Sequence, residues 1–131
     1  MKSMGKLLLI GLAIMLMASF SLKSQSVIKI SQSTISLISA GNLTALHFEV
    51  TTKDVDKITA KMLIPGYQLV CNPKETKLSC IVYSMELTPF PAGDTEIIKL
   101  EGISDDNEFI WEKAEASDVN HKTVFLETVV E

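Results

Sequence analysis

The chain has 131 residues, with 12 lysines and no arginine set against 16 aspartates and glutamates, two histidines and two cysteines. That length supports one domain with a modest two-layer core. The lysines form no run, which excludes the clustered positive footprint of a nucleic-acid binder.

Met1 to Lys6 carries two lysines and leads into an uninterrupted apolar stretch from Leu7 to Met17, followed by Ala18, Ser19 and Ser21. These are the charged, apolar and small-residue regions of a secretory signal peptide. A membrane-spanning helix needs about 20 apolar residues, whereas Leu7 to Phe20 supplies 14. Ser19 and Ser24 place a small residue two positions before cuts after Ser21 or Ser26; the second is preferred, giving a leader at 1–26 and a mature domain at 27–131. No cysteine lies near either cut, so no lipid anchor is expected. The product is expected to be secreted or periplasmic and free of the membrane once cleaved. Removing Lys2, Lys6 and Lys23 leaves nine lysines against 16 carboxylates, a mature charge of about −7.

From Val27 to Ile38, apolar residues alternate with serines and threonines, as in one or two edge strands. Ala40-Gly41-Asn42 is a turn, after which Leu46, Phe48 and Val50 alternate with His47, Glu49 and Thr51 as a half-buried strand. Lys53 to Asp56 breaks the pattern, and Ile58, Ala60, Met62 and Ile64 resume a period of two up to Pro65-Gly66. Val55, Ile58 and Met62 also fit helical spacing after a cap at Thr52; turn then strand is the preferred reading. Tyr67 to Cys71 and Leu78 to Tyr83 are strand-like around the turn-like Asn72 to Lys77. Met85 to Phe90 leads to the turn Pro91-Ala92-Gly93-Asp94 and a strand at Thr95 to Leu100. Then come the acidic loop Ser104 to Glu108, the segment Phe109-Ile110-Trp111, and Lys113 to Ala116, which fits a strand end or one helical turn. A final strand is expected over Lys122 to Val130, after a turn at Asp118-Val119-Asn120. About eight short strands separated by Gly, Pro, Asn and Asp predict an all-β, antiparallel β-sandwich.

An exported chain meets an oxidising compartment, where an even pair of cysteines bonds. Cys71 and Cys80 are therefore expected to form a disulfide across the hairpin. The register that places them opposite each other also sets Val70 against Ile81 and Leu69 against Val82. Closing so short a loop contributes about 2–3 kcal/mol. A metal site or a redox pair needs more ligands or tighter spacing.

Four features in order carry a resemblance: the strand Leu43 to Val50, the hairpin end Leu78 to Ser84, the turn Pro91-Ala92-Gly93-Asp94 running into Glu96 to Leu100, and the close Ala116-Ser117-Asp118-Val119-Asn120. Together they resemble a cohesin-type domain over about residues 42 to 130. The resemblance implies a jelly-roll sandwich of the superfamily that includes carbohydrate-binding modules, and a protein that binds a dockerin-like partner through one sheet face. Cys71 and Cys80 form no part of that pattern.

Catalysis requires a convergent acid, base or nucleophile. The two histidines, His47 on the outer face of a strand and His121 in a turn, have no nucleophile elbow, zinc-helix motif or phosphate-binding loop beside them. They read as solvated surface residues, and the chain is expected not to be an enzyme. Asp105, Asp106, Asn107 and Glu108 lack the ligand spacing and glycine of a calcium loop, so no metal and no cofactor are expected. Asn42-Leu43-Thr44 matches a glycosylation sequon, a pattern common by chance. Trp111 shares parity with Phe109 and reads as core. Tyr67 and Tyr83, on opposite strands of the hairpin, are the candidate ligand contacts. The expected function is a secreted, non-catalytic module binding a protein partner; the alternative is a carbohydrate-binding module for a polysaccharide.

Overall fold

A computed structural model describes residues 26–131. Apart from Ser26, the leader expected at 1–26 lies outside the described residues. The Ser/Thr-rich segment after it forms two strands, β1 (Val27–Ser31) and β2 (Thr34–Ser39), which turn back on each other through Gln32 and Ser33. Their parity drives Ile28, Ile30, Ile35 and Leu37 fully inside, because successive side chains of a strand point to opposite faces. β3 (Leu43–Thr51) follows and buries Leu46, Phe48 and Val50 in the same way.

The segment where helix and strand competed takes a single 3₁₀ turn at Val55–Lys57, with Val55 buried, and then β4 (Thr59–Met62). The hairpin is β5 (Gln68–Lys74) and β6 (Lys77–Tyr83). Its turn is shorter than expected, Glu75-Thr76 alone, with Glu75 at a φ of 60°. Pairing runs through Pro73 to Lys74 against Lys77, which is possible because β5 is an edge strand and needs no outward N–H from proline.

β7 (Gly93–Glu101) and β8 (Ile110–Asp118) are the long strands of the second half. Lys113 to Ala116 lies inside β8, where Ala114 and Ala116 alternate inward; a strand, and not a helical turn, is what that alternation supports. The last stretch is two strands, β9 (Thr123–Phe125) and β10 (Glu127–Val130). Between them the chain passes from one sheet to the other at the buried Leu126, whose N–H bonds the Ala114 carbonyl.

The result is a β-sandwich of two five-stranded sheets, β10-β1-β2-β7-β4 and β5-β6-β3-β8-β9. Among the described residues there are ten strands where about eight were expected, because the segments at 27–38 and 122–130 each divide in two. All pairs are antiparallel except β1 with β10, which run parallel and bring the two ends of the described chain together. Both inner faces contribute to one core around Phe48 and Phe90, and Trp111 closes one side, edge-on to Phe48 at 5.7 Å between ring centroids. The Trp111 Nε1–H donates to the Val129 carbonyl at 3.0 Å, so the indole links β8 to β10 and keeps its polar atom satisfied.

Candidate functional site

The expected register of the hairpin is the one observed: Cys71 faces Cys80, Val70 faces Ile81 and Leu69 faces Val82. Cys71 and Cys80 are joined by a disulfide, with Cys80 fully buried. Because the bridged pair points inward, its neighbours Val70 and Ile81 must point outward.

Following that row across the sheet, Ile81 lies opposite His47, His47 opposite Glu115, and Glu115 opposite Phe125. Val70, Ile81, His47, Glu115 and Phe125 thus form one line over five strands. Three of them are large apolar residues left in solvent, at 51% (Val70), 46% (Ile81) and 74% (Phe125) exposure. The neighbouring row is Gln68, Tyr83, Ala45, Ser117 and Thr123. Beyond it, the loop after β6 presents Met85 and Leu87 to solvent, with Leu87 at a φ of 57°. On the other side, Asn72, Ser79, Glu49 and Lys113 form a polar row.

Charges on this face neutralise one another. Glu49 accepts Lys77 at 3.3 Å and lies 3.7 Å from the His47 Nε2, which is also 3.4 Å from the Ser79 hydroxyl, while Lys113 lies 3.9 Å from Glu115. Exposed pairs of this kind add little stability, but they leave apolar side chains at both ends of the row, Val70 with Ile81 on one side and Phe125 on the other, with His47 and Glu115 between them. An exposed apolar strip with a polar border is the usual surface signature of a macromolecular contact. The outer face of the opposite sheet is different in character: Lys29, Asp94, Glu96 and Lys99 occupy it, with Lys29 and Asp94 paired at 3.4 Å.

The two tyrosines singled out in the sequence are not brought together. Tyr83 lies on the outer face of β6, half-buried between Gln68 and Ala45. Tyr67 precedes β5 with the inward parity of Leu69 and stacks on Phe90 at 4.7 Å between centroids. Its hydroxyl donates to the Pro89 carbonyl at 2.7 Å, and burial holds its pKa above the ordinary value. Tyr67 thus anchors the loop that carries Met85 and Leu87. The residues that sequence reasoning passed over are Val70, Ile81 and Phe125. A signal for the first two was present, since any register with the cysteines inward turns both of them outward.

His121 sits in the turn after β8, exposed at a φ of 63°. At His47 the Ser79 hydroxyl and the Glu49 carboxylate both approach the same ring nitrogen, Nε2, so the ring does not stand between a nucleophile and an orienting carboxylate. Among the described residues no three His, Cys, Asp or Glu side chains are placed to hold a metal ion. In the acidic loop, Asp106 pairs with Lys53 and accepts the Ser104 hydroxyl, and these two bonds hold its carboxyl down at about 2. The Asn107 amide donates to the Thr52 hydroxyl and the Lys53 carbonyl, both at 3.0 Å.

No protein-family model and no curated protein matches the sequence. The fold does have counterparts of known structure. A non-cellulosomal cohesin from the archaeon Archaeoglobus fulgidus superposes with a TM-score of 0.55 at 8% identity, over 80% of this chain and 85% of that one. The cohesin module of a family 33 glycoside hydrolase from Clostridium perfringens gives 0.55 at 12% identity, over 82% of this chain and 97% of that one. A cohesin solved with its dockerin from Clostridium thermocellum gives 0.50 at 8% identity, over 82% and 88%. The described domain therefore has a cohesin-like fold.

Proposed function

We propose that this chain is an exported, non-catalytic binding module that holds a protein partner, of the dockerin kind, on the outer face of the β5-β6-β3-β8-β9 sheet. The observation that carries the reading is the register row that sets Val70, Ile81 and Phe125 in solvent on one sheet face. The cohesin-like fold supports it, since one of the structural counterparts was solved with a dockerin bound. Side chains that lose their solvent on binding carry most of an interface's energy, and Val70, Ile81 and Phe125 are the large apolar ones that this face exposes. The carbohydrate-binding alternative depends on exposed coplanar aromatics; Tyr67 and Trp111 pack inward and Tyr83 is half-buried, which leaves Phe125 as the exposed aromatic of this face.

Export belongs to the same reading. Of the two candidate cuts, the one after Ser26 removes a buried residue whose carbonyl accepts the Glu127 N–H at 3.0 Å, whereas the one after Ser21 keeps it. The packing of Ser26 favours the earlier cut, and the first residue of the secreted chain, Leu22 or Val27, tests it. The binding claim is tested by immobilising the protein, capturing partners from the medium of its source, and repeating the capture with Ile81→Lys. Loss of a specific protein from the variant's eluate supports the reading; an identical set of captured proteins contradicts it.

A further inference from the structure

At the end of the sandwich away from the Met85 loop, the β1–β2 turn, the loop after β7 and the end of β10 surround an open cleft of about 610 Å³. Its apolar lining comes from Ile103, Phe109 and Val130, and its rim carries Asp105, Glu108 and Glu131. Among the described residues none of these three carboxylates has a salt-bridge partner. Lys53, which reaches the loop from the chain leaving β3, is already engaged by Asp106. The wall is also held in place before any ligand arrives: the Asn107 side-chain oxygen accepts the Ser104 N–H at 2.9 Å while its amide is bonded to Thr52 and Lys53. A cleft that sets the apolar Ile103, Phe109 and Val130 beside the polar Gln32, Ser33 and Ser104, bordered by unpaired negative charge, complements a side chain that is aliphatic along its stem and cationic at its tip, which is the chemistry of lysine. The net charge of about −7 on residues 27–131 adds a field that draws such a ligand in.

We propose that this cleft is a second docking site, separate from the sheet face, which seats a lysine side chain projecting from an apolar segment of a protein partner. The ammonium lies between Asp105, Glu108 and Glu131, and the methylenes lie over Phe109 and Val130. The site does not depend on the sheet-face reading, because it lies on another surface of the molecule.

The test is an amide NMR titration of the protein with the peptide acetyl-Leu-Lys-Leu-Lys-Leu-amide and with its twin in which norleucine replaces lysine. Saturable shifts confined to residues 30–33, 103–109 and 130–131 are expected with the lysine peptide, and binding roughly tenfold or more weaker with the twin. A triple variant, Asp105→Asn, Glu108→Gln and Glu131→Gln, keeps side-chain shape at exposed positions and is expected to lose a similar factor. Val130→Thr, which keeps the charges, weakens binding by removing apolar contact. Equal binding of the two peptides overturns the proposal, as do shifts spread over every acidic surface. Spermidine binding as tightly as the lysine peptide also overturns it, because the site would then belong to a free polyamine.

Discussion

Lys53 and Asp106 tie the loop after β7 to the chain leaving β3, and the pair is one contributor to the acid response of the domain, beside Asp118, whose carboxyl is lowered by the backbone N–H groups of Lys122 and Asn120. The hydrogen bond from Lys53, and then that from Ser104, lower the Asp106 carboxyl from 3.8 to about 2. A carboxyl depressed in the folded state contributes stability that is fully present above its unfolded pKa and is lost as pH falls through the folded one. Asp106→Asn should therefore flatten the dependence of unfolding midpoint on pH between 3.8 and about 2; a variant with the wild-type slope contradicts this role. Gly102 makes a separate prediction. It has a φ of +88°, and a Cβ there would run into the Lys57 carbonyl oxygen. Gly102→Ala should cost about 1–3 kcal/mol. Gly66→Ala, at a φ of +91° with open space around it, should cost less because only backbone strain is added. Thermal midpoints of the two variants give the order, and equal losses would mean that the close approach to Lys57 does not matter.

At the level of elements, the β5–β6 hairpin shows what the sequence carries and what it does not. Pairing two cysteines and aligning apolar partners specified the register residue by residue, because an antiparallel pair leaves no freedom once one contact is set. The disulfide holds an edge strand that, among the described residues, pairs with β6 alone. Replacing Cys71 and Cys80 by alanine is expected to cost about 2–3 kcal/mol and to speed hydrogen exchange in Gln68–Lys74 ahead of β3. Unchanged exchange in β5 would contradict the staple's role. The division of 122–130 into β9 and β10 was hidden, since the apolar run Val124-Phe125-Leu126 passes through it with no Gly, Pro or Asn to mark a break. What divides it is the partner of each half, β8 for one and β1 for the other. Partners distant in sequence leave no local mark. Tyr67 was misleading for the same reason: its stacking partner, Phe90, lies in another loop.

For the whole molecule, strand parity and turn residues made the sandwich legible, and the order of short motifs made its cohesin-like topology legible. The candidate face was legible only in part: inward cysteines turn Val70 and Ile81 outward, whereas the exposure of Phe125 depends on β9 docking at the edge of β8. The core is a single unit, so Phe48→Ala should destabilise the entire domain by about 3–5 kcal/mol, read as one cooperative denaturant transition; a local loss confined to β3 would contradict a shared core. The apolar sheet face is the feature on which the functional account rests. Its most direct test is the dissociation constant of the captured partner for wild type, for Val70→Asp with Ile81→Lys, and for a control on the opposite sheet, Lys99→Glu. The account predicts a loss of roughly tenfold or more for the first variant with its thermal midpoint kept, and wild-type affinity for the control. Wild-type affinity in the sheet-face variant, or a loss confined to Lys99→Glu, would place the binding surface elsewhere.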